Sequence, residues 1–365
     1  MTKSFDDAIR RFYKLYTSGL SLREIEGLIK RDAPGIYEFY QRDVKQAGRD
    51  AHPFSRGVNF VGSLFMAFLL KLTPARRMFY SLALFVFIYG FLVGSWIWGV
   101  LGFLALNLLL AFELADKLTA RDDLEVAREI QMGLMPRSAP EDTPFDIACY
   151  SEAAREVGGD YYDFIQPAQP ADTTLIVIGD VSGKGMGAAL YMVQVKAILR
   201  NLISQHERPH EILTTLNTQL KQILRQGSFF TVSIASVNAK PELTLCRAGH
   251  MPLIHYQHEC RTCREVLPGG IGIGLPDHGR FAELLEETTV PFAPGDVLLF
   301  YTDGLVETMN TSKVEFDDFR LKQLIEANAA KPAREIQNAI LSALARFRGA
   351  APPLDDITLI VMKVK

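Results

Sequence analysis

A chain of 365 residues has room for one catalytic domain of ordinary size and a further module. A formal net charge of −3 supplies no basic surface for nucleic acid, so none is expected as a partner. Four cysteines in a chain of this length indicate a reduced compartment rather than a disulfide framework.

Residues 1–56 read as a helical, amphipathic cytosolic region. Ser21-Leu-Arg-Glu24 has the form of a capping box, and Pro34-Gly35 ends the helix it opens. The charge of this stretch and its want of an apolar core make a cleavable signal peptide unexpected. Two short helices about a turn would suit a helix-turn-helix, but without a basic reading surface a regulatory or packing module is favoured.

Residues 57–112 read as a membrane region. From Met78 to Leu114 the only ionisable side chains are tyrosines and Glu113. A single helix from Phe79 to Phe112 would be about 50 Å long against a hydrocarbon core of about 30 Å, too long for one span. Gly94-Ser-Trp-Ile-Trp-Gly99, at its middle, sets the chain's two tryptophans between glycines, as expected of a turn at the headgroup layer. A helical hairpin over 79–112 is therefore expected. Arg76 and Arg77 before it and Lys117 and Arg121 after it place both ends, and hence the rest of the chain, on the cytoplasmic face of the inner membrane. The run Val58 to Leu70 is short for a span and suits an interfacial helix.

The second span is expected to continue as a linker helix over 113–136, stopped by Pro136. Leu124, Ala127, Ile130 and Leu134 recur at three- and four-residue steps, the pattern of a packed helix seam that would serve a homodimer or pack on its own domain. Over 137–365 the apolar runs 175–178, 229–237, 243–246, 297–301 and 357–364 predict strands, and 188–204, 211–225, 316–329 and 333–348 predict helices. Strands in runs, separated by paired helices, favour an α+β sandwich over a doubly wound sheet. Cys260-x-x-Cys263 beside His255 and His258 has the look of a zinc site, but its place on a hairpin tip favours free thiols.

Four aspartates concentrate the chemistry: Asp160 in Glu156-Val-Gly-Gly-Asp-Tyr-Tyr-Asp163, Asp180 in Gly179-Asp-Val-Ser-Gly-Lys-Gly185, Asp303 in Tyr301-Thr-Asp-Gly304 and Asp355 in Asp355-Asp-Ile-Thr358. At least three abut a predicted strand. Carboxylates gathered at strand ends without matching cations repel one another and resist desolvation, and hard divalent cations relieve both. Two Mn²⁺ or Mg²⁺ ions about 3.5–4 Å apart lower the pKa of a bridging water and clamp a phosphoryl group, which is the chemistry of phosphate-ester hydrolysis.

These motifs, with Ala248-Gly-His-Met-Pro252 and Phe300-Tyr-Thr-Asp-Gly-Leu-Val-Glu307 in the same order, resemble the metal-dependent protein serine/threonine phosphatases, in the bacterial branch typified by the SpoIIE and RsbU phosphatases. The resemblance implies a four-layer sandwich of two antiparallel sheets flanked by helices, preceded here by the transmembrane hairpin and the linker helix. It implies Asp180 as the ligand bridging both metals, with the Val181 carbonyl completing one coordination sphere. Asp160 would hold one ion, and Asp303 and Asp355 the other, with Asp356 in reserve for Asp355. Asp160, Asp180 and Asp303 are thus the expected catalytic carboxylates, and a phosphorylated anti-sigma-factor antagonist the implied substrate. In the family the linker serves dimerisation and switching.

Lys184 suits either substrate phosphate or a solvated loop. His250 suits a turn-holding role better than that of a general acid. Two rival readings meet the same motifs. The Gly158-Gly-Asp160 turn echoes diguanylate cyclases, which leaves Asp303 and Asp355 unexplained. A signal-relaying pseudo-phosphatase sits poorly with an intact aspartate set.

Overall fold

The computed structural model describes residues 72–365, apart from 137, 141–142, 168–172 and 207, together with 62, 65, 66 and 68–70. The expected helices of residues 1–56 and most of the 58–70 run lie outside the described residues. The chain divides into two compact units, 1–118 and 119–365.

In the first unit, α1 (Pro74–Leu92) opens with proline in its first turn, where a missing N–H costs nothing. It ends at a turn in which Gly94 takes φ +67°. The next helix, α2 (Trp96–Leu134), runs unbroken for 39 residues and passes into the second unit. Glycine lets α1 and the start of α2 approach closely: a Cβ on Gly90 or Gly102 would collide with the backbone of Gly99 or Phe87. Both helices are long and apolar enough to cross a membrane by length and composition. Arg76 joins them, pairing with Glu113 at 2.8 Å and with Asp116.

The second unit is a four-layer sandwich. One sheet has the order β1-β10-β9-β6-β7, built from β1 (Phe145–Glu152), β6 (Leu253–Gln257), β7 (Thr262–Val266), β9 (Val297–Tyr301) and β10 (Ile357–Val364). The other has the order β2-β3-β4-β5-β8, built from β2 (Asp160–Ile165), β3 (Thr174–Val181), β4 (Phe230–Val237), β5 (Glu242–Ala248) and β8 (Glu287–Pro291). Every pairing is antiparallel. Helices α3 (Met186–Ile203) and α4 (Pro209–Leu220) cover the second sheet. The one-turn helices α5 (Phe281–Leu284) and α6 (Asp303–Val306) follow, and α7 (Asp318–Asn328) and α8 (Ala333–Arg348) cover the first sheet.

The period of two explains why β9, and β10 from Leu359 to Met362, are apolar on both faces. Leu298, Phe300, Ile360 and Met362 face the core between the sheets, while Leu299, Tyr301, Leu359 and Val361 face the core under α7 and α8. All five predicted strands and four predicted helices form. The remaining five strands, β1, β2, β6, β7 and β8, lack a continuous apolar run and are not among those predicted. Their alternate residues are polar or half-buried, and pairing with a neighbour decides their conformation.

Candidate active site

The two sheets meet at one edge where four aspartate-bearing turns converge. Asp160 begins β2 and Asp180 nearly ends β3, and the antiparallel register sets them opposite each other. Asp303 follows β9 as the first residue of α6, and Asp355 and Asp356 precede β10. A Cβ on Gly304 would collide with the Asp356 carbonyl, so only glycine lets the Asp303 and Asp355 turns close on each other.

The turns are fixed by backbone bonds. Asp356 is buried, and its Oδ1 and Oδ2 accept from Ala154 N at 2.8 Å and Gly159 N at 2.6 Å. Gly158 packs against that carboxylate with no room for a Cβ, and a Cβ on Gly159 would lie 2.6 Å from the Val181 carbonyl. Asp160 is buried, and its Oδ2 accepts from Thr302 Oγ1 at 2.8 Å. Thr302 Oγ1 in turn accepts from Thr358 N at 2.9 Å, tying β2 to both strands that carry the other aspartates. Gly183 and Gly185 take φ +101° and +74°, which turns the chain from Asp180 into the start of α3.

Burial and mutual repulsion dominate the electrostatics. Burial first, then the charges of Asp303, Asp355 and Asp356, push the Asp180 carboxyl up to about 7. Asp160 is raised well above the carboxylate range by burial and then by Asp180, against the hydrogen bonds from Thr358 and Thr302. Asp303 is raised by burial and by Asp355.

Lys184 supplies a counter-charge that was not anticipated for this cluster. Its Nζ lies 2.6 Å from Asp355 Oδ2 and also bonds the Leu354 carbonyl. One lysine against this many carboxylates leaves a donor set of hard oxygens suited to a divalent cation. As the side chains stand, no three His, Cys, Asp or Glu among the described residues converge as a ready metal group. Asp355 is turned toward Lys184 and Asp160 toward Thr302.

Four further residues bear on the site. Arg155 is exposed, and its Nη1 comes within 4.0 Å of the position a Cβ would take on Gly185. It stands five residues before Asp160, a cationic side chain in a motif otherwise read for its carboxylate. Glu307 feels Asp303 and Asp355 and is raised by burial and by them. Thr302 orients Asp160, and its signal was present in the Tyr-Thr-Asp-Gly motif. Gln131 of α2 is buried against Gly158, with Nε2 donating to Gly158 O at 2.7 Å and Oε1 accepting from Gly158 N at 3.1 Å. Nothing local in the sequence marks that contact.

His250 is buried, its Nδ1 2.9 Å from Thr231 Oγ1, and burial followed by the Arg247 charge lowers it to about 3. A ring that stays neutral to that pH has no extra proton to give at neutrality, and it is tied to Thr231 of β4 instead. Cys260 and Cys263 are free thiols, Cys260 exposed, and they form no metal cluster.

This architecture is that of the PP2C-type phosphatases. The SiaA-PP2C domain of Pseudomonas aeruginosa superposes with a TM-score of 0.60 at 22% identity, over 69% of this chain and 99% of that domain. The RsbU and RsbW domains of Rv1364c from Mycobacterium tuberculosis superpose with a TM-score of 0.52 at 29% identity, over 60% of this chain and 59% of that one. The family profile of Stage II sporulation protein E (SpoIIE) matches residues 170–365, more than half of the chain, which therefore belongs to that family of metal-dependent protein phosphatases. Among relatives, phosphoserine phosphatase RsbU of Bacillus subtilis is 28% identical over 249 residues, 67% of this chain and 71% of RsbU. The match to protein IcfG of Synechocystis is 26% identical and spans 43% of that longer protein. The chain is a protein phosphatase.

Proposed function

We propose that the chain is a membrane-anchored phosphatase that removes phosphate from serine or threonine of a cytoplasmic protein with the aid of two Mn²⁺ or Mg²⁺ ions. The observation that carries the metal reading is the convergence of the turns bearing Asp160, Asp180, Asp303 and Asp355, where burial and neighbouring carboxylates raise Asp160, Asp180 and Asp303 and a single lysine pairs with Asp355. When bound, the ions would supply Lewis acidity for activating water and neutralising phosphoryl charge. Asp160, Asp180, Asp303, Asp355 and the Val181 carbonyl would hold them. Asp356 is committed to two backbone N–H groups, which supports Asp355 as the ligand of the adjacent pair.

Lys184 and Arg155 flank the turn after Asp180, and the two would receive the substrate phosphate, Lys184 on release from Asp355. Guanidinium and ammonium donors there offset the dianion's charge and orient it toward the carboxylates. The resemblance to RsbU supports a phosphorylated anti-sigma-factor antagonist as the substrate.

Residues 1–56 would form a cytosolic module, 57–112 the membrane region, 113–136 a linker that pairs two copies, and 137–365 the phosphatase. Membrane anchoring is supported by the length and composition of α1 and α2 and by the flanking Arg76, Arg77, Lys117 and Arg121. The test joins activity and topology. The full chain in liposomes should release phosphate from a phosphoserine protein with Mn²⁺ and none after chelation. In cells, cysteines placed at residues 50 and 140 should be shielded from an impermeant external reagent. Metal-independent turnover, or labelling of residue 140 from outside, would overturn the respective half of the proposal.

A further inference from the structure

Between Trp98 and Phe112 every residue of α2 is apolar except Asn107. Asn107 is exposed, and its Nδ2 donates to the Phe103 carbonyl at 2.9 Å, one turn back along its own helix. That carbonyl already serves the helical ladder, and the Asn107 side-chain oxygen has no partner among the described residues. In water this would be unremarkable. If α2 spans the bilayer, as proposed above, a carboxamide faces hydrocarbon with one N–H and its carbonyl oxygen unmet, a costly arrangement unless another chain meets it.

This stretch of α2 has one less exposed side and a wide exposed arc that also takes in Leu101, Phe103, Leu108, Leu110 and Phe112. Gly102, Ala105, Leu106, Leu109 and Glu113 are the less exposed residues and lie toward α1. Val100, Leu104, Asn107, Ala111 and Leu114 recur at alternating four- and three-residue steps and are all exposed. That spacing is the seam of a left-handed helix pair, with Asn107 inside it and the small Ala111 one turn on.

We propose that this face pairs with the same face of α2 in a second copy of the chain, the two Asn107 carboxamides hydrogen-bonding to each other within the membrane. A carboxamide is its own complement, since it carries both donor and acceptor and no charge. Two copies inserted in the same orientation bring their Asn107 residues to the same depth, where each satisfies the other. A single polar residue in an apolar seam also fixes register, because any slip leaves two unpaired amides in lipid. The pair would then set the spacing at which the two α2 helices leave the membrane toward their phosphatase units.

The test uses the full chain in liposomes, labelled separately with donor and acceptor fluorophores, with energy transfer followed as lipid dilutes the protein. Asn107→Leu should weaken self-association by roughly three- to thirtyfold, the range expected for one interhelical side-chain bond, and Asn107→Gln should retain it. Oxidative cross-linking should be efficient for Leu104→Cys and Ala111→Cys and poor for Ala105→Cys, which keeps the test decisive if the cytosolic part of α2 also holds the pair. Unchanged association of Asn107→Leu together with best cross-linking at Ala105→Cys would overturn the proposal. Alkaline carbonate separates the two failures: release of the wild-type chain from the bilayer would overturn the membrane reading, whereas a retained chain with the contrary cross-linking pattern would overturn the pairing alone.

Discussion

The carboxamide of Gln131 closes a two-way hydrogen-bond ring on the backbone of Gly158, donating at 2.7 Å and accepting at 3.1 Å. Gly158 stands two residues before Asp160, and its neighbour Gly159 holds Asp356. A second tie lies at the end of the same helix, where Lys196 Nζ bonds the Leu134 carbonyl and pairs with buried Asp163 at 3.1 Å. The end of α2 is therefore fastened to the turn that presents Asp160 and to α3, which begins just after the turn of Asp180.

Removing the Gln131 side chain should loosen that turn. Gln131→Ala leaves the buried N–H and C=O of Gly158 unpaired, at about 1–3 kcal/mol for each group. The Mn²⁺ concentration for half-maximal activity should rise several-fold, because the displaced turn carries a proposed ligand. A variant with unchanged Mn²⁺ dependence and only a lowered melting temperature would assign Gln131 a purely structural role.

The carboxylates should respond to substitution according to their commitments. Asp180→Asn or Asp303→Asn is expected to reduce phosphatase activity at moderate Mn²⁺ by at least about a hundredfold with little loss of folded protein. Asp356→Asn weakens two backbone anchors and should instead lower thermal stability along with activity. Calorimetric Mn²⁺ titration and a melting curve on each variant make the distinction, and full activity of Asp180→Asn would defeat the metal reading.

Arg155 and Lys184 should contribute to substrate recognition. Loss of a charge-assisted bond to phosphate costs about 1.5–3 kcal/mol, so Arg155→Ala should lower kcat/KM by roughly ten- to a hundredfold. Mn²⁺ affinity should be unaffected in Arg155→Ala. For Lys184→Met, release of Asp355 from its ion pair should raise Mn²⁺ affinity while substrate affinity falls. Steady-state kinetics against a phosphoserine peptide at saturating Mn²⁺ separate the two effects.

The raised carboxyls make metal-free stability depend on pH. Asp180 titrates near 7 in the folded chain and near 4 when unfolded, so the folded state holds the extra proton between those values. Stability should therefore be fullest below about pH 4 as far as this group is concerned, and should decline as pH rises through 7. Asp160 and Asp303, also raised, add in the same direction. Mn²⁺ should reverse the trend, binding more tightly as pH rises and releasing protons on binding. Equal heats in buffers of different ionisation enthalpy would show that no proton is displaced.

The stretch of α2 from Leu124 to Leu134 divides between two faces. Leu124, Ala127 and Leu134 are half-buried and Gln131 buried, whereas Val126 and Ile130 are 56% and 61% exposed. Ile130→Glu should therefore weaken pairing of residues 113–365 without unfolding the phosphatase unit, and Leu134→Glu should disturb the unit itself. Light scattering and melting curves on the two variants report this directly, and a stable wild-type monomer would remove the linker from the dimer.

Much of this protein is written in local sequence. The strands β3, β9 and β10 are buried on both faces, so each carries a continuous apolar run that is legible, and the aspartates beside them fall at strand ends because charge cannot enter those runs. The helices α1 and α2 likewise follow from composition and from one glycine turn. Tertiary structure decided what periodicity cannot carry. It set Asp160 opposite Asp180 through register, placed Lys184 on Asp355 across 171 positions, and brought Gln131 to Gly158. It also separated Asp355 from Asp356, since adjacent identical residues differ only in which backbone N–H groups the fold turns toward them. Contacts of that kind depend on where distant turns meet. Local propensity, which sums over near neighbours, holds no record of them.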